Sequence, residues 1–185
     1  MNREAFIQEL EQCGIGLERG TIALVDYSPA WAAAFDLVER RIRPVLGDAT
    51  ISHMGSTAIP GCIAKPILDV SVVYDRSTDF STETAALVGL GFFGRGEHGI
   101  PGRTYFDYYD DEEKISYVHV HAYPEGHAEA AAHEQFKAAL LRDAACVARY
   151  NALKRKLLAS GITRADYPAA KTDFILGVLA QAQHG

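Results

Sequence analysis

The chain has 185 residues, 48% of them hydrophobic and 23% charged, enough for a well-buried core and typical of a globular protein. A net charge of −6 argues against a general nucleic-acid binder and against attachment to an anionic membrane, because either needs a basic face to neutralise phosphates. No segment approaches the run of about 20 apolar residues that spans a bilayer, so membrane insertion is not expected.

Residues 1–5 carry an acid and no apolar signal core. Cys13, Cys62 and Cys146 are far apart and lack any metal-binding spacing, which fits small buried residues in a reducing cytoplasm. Residues 3–13 set Phe6, Ile7, Leu10 and Cys13 near helical spacing and predict a short helix stopped by Gly14 and Gly16. The β-formers from Thr21 to Tyr27 predict a strand.

Ser28-Pro29 reads as a helix start, since proline at the first helical position lacks only an N–H that would have no partner there. This helix is expected to run to about Arg43, ahead of Pro44 and Gly47. Trp31, Phe35, Val38 and Ile42 share one stripe, the spacing that buries a face against a sheet. An arginine at its end is placed to meet solvent or a phosphate.

A second strand over 49–54 enters a Gly55-Ser56 turn, and a third spans 66–74. A helix over 77–90 is ended by Gly89 and Gly91. The glycine-rich loop 94–102 leads to Arg103 and to strands over 103–109 and 115–123, joined by the acidic turn 110–113. Residues 128–184 are rich in Ala, Leu, Lys and Arg and predict three helices, the first ending near Asp143, the second near Ser160, the third starting near Pro168. No repeat or linker appears. One domain is expected over 1–185, with a mixed αβ core over 1–125 and a helical part over 126–185.

The stretch from His53 to Asp69 sets small residues, two hydroxyls, a lysine and an acid between apolar runs. After a strand, Gly55 removes side-chain bulk so that backbone N–H groups approach a phosphate, and Ser56 and Thr57 add hydroxyls. Asp69 falls with Ser71 on one face of an otherwise apolar strand, where a lone carboxylate needs a partner, a hydrogen bond or a metal. Alternation also places Tyr117, His119, His121 and Tyr123 on one face. Two imidazoles at i and i+2 can converge on one metal, with Asp69 completing a mixed nitrogen and oxygen site. Lys65 at the mouth of the third strand and Arg103 on the neighbouring loop are candidate phosphate contacts. Read blandly, the same residues are a plain turn, a capped or paired acid and solvated cations.

The run from His53 to Gly61, followed by Ala64-Lys65-Pro66-Ile67-Leu68-Asp69-Val70, resembles the signature of the GrpB family. The likeness continues through Tyr27-Ser28-Pro29-Ala30-Trp31, His119-Val120-His121, Arg142-Asp143, Tyr150, Leu153-Lys154, Tyr167 and Lys171. This resemblance implies an α+β, nucleotidyltransferase-like fold, a mixed β-sheet flanked by helices with a helical C-terminal part. It also implies a phosphate-cradling turn, matched by Gly55 and Ser56, and carboxylates that hold a divalent metal, of which Asp69 matches the first. The second acid position is Ser71 here, and the later strand carries His119 and His121.

The implied cofactor is a divalent metal, Mg²⁺ or Mn²⁺, or Zn²⁺ favoured by the imidazoles. The expected function is a nucleotidyltransferase-type enzyme that binds a nucleotide or another phosphorylated small molecule, with Asp69, His119 and His121 as catalytic and metal-holding residues and Gly55, Ser56, Thr57, Lys65 and Arg103 on the ligand. The alternatives are a metal-dependent hydrolase at the same Asp/His site and a non-catalytic nucleotide-binding module. The dephospho-CoA kinase label sometimes given to the family is set aside, because the chain has no Gly-x-x-x-x-Gly-Lys-Ser/Thr loop.

Overall fold

A computed structural model describes residues 2–182. In chain order its elements are α1 (Arg3–Gln12), β1 (Leu17–Glu18), α2 (Ala30–Leu46), β2 (Thr50–Met54), β3 (Leu68–Tyr74), α3 (Ser81–Gly89), β4 (Phe93–Gly94), β5 (Thr104–Asp110), β6 (Ile115–Pro124), α4 (Ala128–Arg142), α5 (Ala144–Ala159) and α6 (Thr172–Ala182). The expected α+β class, a mixed sheet flanked by helices with a helical C-terminal part, is what the chain forms. The last two residues of the predicted C-terminal helical region, 183 and 184, lie outside the described residues.

The sheet runs β2-β3-β6-β5-β4, with β1 also pairing with β6. Strands β3 and β6 are parallel and the other pairs antiparallel. One face is dry. Val70, Val72, Val118, Val120, Ala122 and Phe106 pack there against Phe6 and Leu10 of α1 and Trp31, Val38 and Ile42 of α2. Full burial of an aliphatic side chain of this size contributes about 1.5–3 kcal/mol, so the α2 stripe is a principal source of stability. Phe35, on the same helix, stacks flat on His53 with ring centres 5.0 Å apart.

A second apolar cluster joins the loop after β2 to the C-terminal helices. Ile59 and Cys62 pack with Leu140 of α4, Cys146, Val147 and Tyr150 of α5 and Val178 of α6. Asp143 starts α5 by accepting the Cys146 N–H at 3.0 Å, which is why the helical region breaks there.

Four local expectations change. Thr21–Tyr27 does not form a strand, and its only ladder contact is an isolated bridge from Val25 to Ala64, because Val25 is 41% exposed and gains no apolar face by pairing further. The short β1 pairs with Ser116 and Ile115 instead. Helix α2 continues through Pro44 to Leu46, since Leu46 extends the buried stripe by one more turn. Helix α3 begins at Ser81 rather than Ser77, because Asp75 and Asp79 capture the N–H groups of Ser77 and Ser81 in turns. Tyr117 also leaves its predicted face and joins the dry cluster, donating to Glu11 at 2.7 Å. Among the described residues no helix is long and apolar enough to cross a membrane.

Candidate functional site

The sheet's other face carries the polar residues. Met54, Asp69, His119 and Asp107 stand in one row across β2, β3, β6 and β5, and Ser52, Ser71, His121 and Tyr105 stand in the next. Paired residues on adjacent strands project to the same side, so the alternation that hides Val70 and Val120 turns Asp69 and His119 the other way. Between this face and α4, α5 and α6 lies a cleft of about 500 Å³. Gly55, Ser56, Thr57, Lys65, Asp69, Arg103, His119 and His121 all line it.

At its floor His119 donates from Nδ1 to Asp69 Oδ1 at 3.2 Å, and its Nε2 lies 3.9 Å from Asp107 Oδ1. Arg103 donates from Nη1 to His121 Nδ1 at 3.2 Å. A neutral imidazole whose Nδ1 accepts must carry its proton on Nε2, and that atom sits 3.7 Å from Asp69 Oδ1. Burial pushes the Asp69 carboxyl up, but the facing His119 and His121 outweigh it and hold the group well below the usual carboxylate range. Burial pushes His121 down, leaving it uncharged at neutral pH.

These bonds bear on the expected metal. A metal takes lone pairs from its imidazole ligands, whereas His119 and His121 each turn an N–H toward Asp69. Among the described residues no three His, Cys, Asp or Glu side chains are grouped to hold a metal ion. With Ser71 at the second acid position the set does not fit oxygen-seeking Mg²⁺. In this structure Asp69 and His119 are hydrogen-bonded, while His121 Nε2 faces Asp69 at 3.7 Å, beyond hydrogen-bond reach, and stays without a partner.

Gly55 explains its own presence. Its φ is +72°, and a Cβ there would come within 2.5 Å of Asp69 Oδ2, so a side chain would collide with the site's acid. The following turn differs from the expected strand–turn–helix. Ser56–Ala58 is one short 3₁₀ turn, which Pro60 and Gly61 close off, and it offers no helix dipole to an anion. Thr57 is buried and its hydroxyl is engaged with His53 Nε2 at 2.9 Å. Arg103, expected to contact phosphate, is buried, and its guanidinium is committed to the carbonyls of Glu97 and His98 and to His121.

Further cations reach the cleft from the helical part, where Lys137 donates to the His53 carbonyl at 2.7 Å. Lys137, Lys154 and Lys171 join Lys65 along the cleft. Lys154 is 1% exposed and donates to the Ile63 carbonyl, to Cys62 Sγ at 3.0 Å and to Ser56 Oγ at 3.2 Å. Lys171 lies over the Tyr167 ring at 4.5 Å and Lys65 over the same ring at 5.6 Å. Burial, then the neighbouring Lys65, pushes Lys171 down to about 8. Burial also lowers Lys65 and Lys154. Asn151 clamps the segment that carries the turn, accepting from Ile63 N–H at 3.0 Å and donating to the Gly61 carbonyl at 2.8 Å.

Sequence reasoning missed Asp107, His133, Lys137, Lys154 and Lys171 as site residues. For three of them a signal existed. His133, Phe136, Lys137 and Leu140 fall at i, i+3, i+4 and i+7, as do Val147, Tyr150, Asn151 and Lys154, so polar groups interrupt the inward stripe of each helix. Asp107 needed the β5–β6 register, which local pattern does not supply.

The model of a protein family described as GrpB protein matches residues 21–181. A UPF0157 protein of Streptomyces coelicolor is 36% identical over 90% of this chain and 87% of its own length, and one of Deinococcus radiodurans is 32% identical over 82% and 77%. Among solved structures, conserved protein GrpB from Enterococcus faecalis superposes with a TM-score of 0.76 at 26% identity, covering 86% of this chain and 96% of that one. A family model matching residues 21–181, together with shared sequence and shared fold over most of the chain, makes this chain a member of the GrpB family.

Proposed function

We propose that the cleft binds a nucleotide or another phosphate-bearing small molecule, and that Asp69 with His119 then handles the proton of an acceptor hydroxyl in a transfer reaction. The observation that carries the reading is the lysine cluster. Lys65, Lys154 and Lys171 all line the cleft, burial pushes each of them toward losing its proton, and Lys171 is pushed further by Lys65 and Lys154 beside it. Such a group is stabilised by an incoming polyanion, which supplies the counter-charge that the protein leaves out. The cleft's size also falls within the ~300–1,000 Å³ usual for small-ligand sites.

Calorimetric titration with ATP, GTP, CTP and UTP, each with Mg²⁺ or Mn²⁺, tests it. Binding of at least one is expected, and failure of all would sink the proposal. Asp69→Asn then separates catalysis from binding, since turnover lost with affinity kept supports transfer, whereas binding with no turnover in the unaltered protein identifies a binding module.

A metal-dependent hydrolase centred on Asp69, His119 and His121 is the rival reading. One observation favours it, because His119 Nδ1 and His121 Nε2 both converge on Asp69 Oδ1, at 3.2 and 3.7 Å. Metal analysis of protein purified without added metal decides, with one tightly held transition metal that His119→Ala loses as the outcome in its favour.

A further inference from the structure

The cleft has two ends of different chemistry, and only the lysine end suits a phosphate. At and just beneath the other end, where His121 and His133 line the cleft and Ser71 and Tyr123 lie under them, Ser71 Oγ, His121 Nε2, Tyr123 Oη and His133 Nδ1 are buried with no hydrogen-bond partner. They belong together. Ser71 pairs with His121 in the β3–β6 register, Tyr123 is two residues along the same face, and the His133 ring on α4 lies 6.0 Å from His121 and 6.2 Å from Tyr123. His121 and His133 line the cleft directly, beside Tyr105 and Phe136.

A buried polar atom without a partner is rare and unfavourable, so a group of them marks a place where a ligand or ordered water completes the network. We propose that this end is a subsite for the uncharged, hydroxyl-bearing part of the ligand, so that the protein selects a sugar phosphate or nucleotide over a bare phosphate. The proposal rests on the phosphate reading above. Hydroxyls are the matching chemistry because the pocket mixes donors and acceptors and carries no free charge. The Ser71 and Tyr123 hydroxyls can do either, the His121 Nε2–H donates, and the Arg103 charge is tied to two carbonyls and His121. Burial lowers both His121 and His133, which keeps the pair neutral beside Asp69, Glu129 and Glu134 on one side and Arg103 on the other. The rings of Tyr105, His121, His133 and Phe136 supply flat apolar surface around those few polar atoms, as ligand sites generally do.

Calorimetric titration of the full chain with ribose 5-phosphate and with inorganic phosphate tests this, in the unaltered protein and in Tyr123→Phe and His133→Phe. Ribose 5-phosphate is expected to bind at least roughly tenfold tighter than phosphate, the effect of one or two well-made hydrogen bonds. Each variant should bring that ratio down several-fold, and Tyr123→Phe, which removes a single oxygen, does so without disturbing the fold. Equal affinity for the two probes, or a ratio unchanged in both variants, overturns the subsite while leaving the phosphate reading intact. Failure of both probes to bind at all overturns the phosphate reading and this one with it.

Discussion

Asp69 and Val70 are adjacent in β3, yet they live under opposite rules. Val70 faces α2 in a layer built mainly of apolar side chains, where removal from water is the main stabilising term. Asp69 faces a cleft whose polar groups are positioned by one another, His119 on the acid, Arg103 on His121, Lys154 on the turn. The dry face can be judged by volume and area. The wet face is judged by whether every donor and acceptor is met, and at the lysine end and around His133 it is not.

Three tests would break or sharpen that contrast. The largest effect is expected from Ile42→Ala on the dry face, which removes a fully buried side chain and should lower unfolding free energy in urea by about 2–5 kcal/mol while leaving phosphate affinity unchanged. A comparable loss of affinity would mean that the two faces are coupled.

Gly55→Ala should come next, and Gly61→Ala is its control. Both glycines have nearly the same positive φ, +72° and +75°, but a Cβ at Gly61 meets nothing within 4 Å, whereas at Gly55 it meets Asp69. Each should lose about 1–2 kcal/mol from backbone strain. Only Gly55→Ala should lose more and weaken ligand binding, and equal behaviour of the two would remove Asp69 from the explanation.

The smallest effect lies in pH. Folding takes Lys171 from 10.5 to about 8, so between those values the unfolded chain binds more protons and stability should rise with pH. Lys171→Gln should flatten the rise, and a bound anion, by restoring the ammonium, should do the same. Thermal melts from pH 7.5 to 10 with and without phosphate show which holds.

The dry face was the more legible of the two in the sequence. Trp31, Val38 and Ile42 announce their helix by spacing alone, and Val70 and Val120 their strands by alternation, because burial imposes a period. The two-residue strands β1 and β4 carry no such period and were invisible. Thr21–Tyr27 has strand-forming residues without a partner strand to use them, a tertiary fact that propensity does not contain. In the site, Gly55, Ser56 and Asp69 were legible because they sit close together in the chain. Lys154 and Lys171 were quoted only for a family likeness, since nothing local says that α5 folds back over residues 56–63. His119 and His121 were found by their pairing at i and i+2, but the direction of their protons depended on Arg103, which no spacing reveals.

The clamp from α5 has a consequence for the order of events during synthesis. Asn151 and Lys154 fasten residues Gly61 to Ile63 across 88 to 92 positions of sequence. A ribosome that has finished the sheet has therefore not yet finished the turn at Ser56. Until α5 emerges and docks, the nascent chain holds its acid and its glycine without the lysine that braces the turn at Ser56 and Cys62, so a half-made copy can be folded over its dry face and still be unable to capture a ligand.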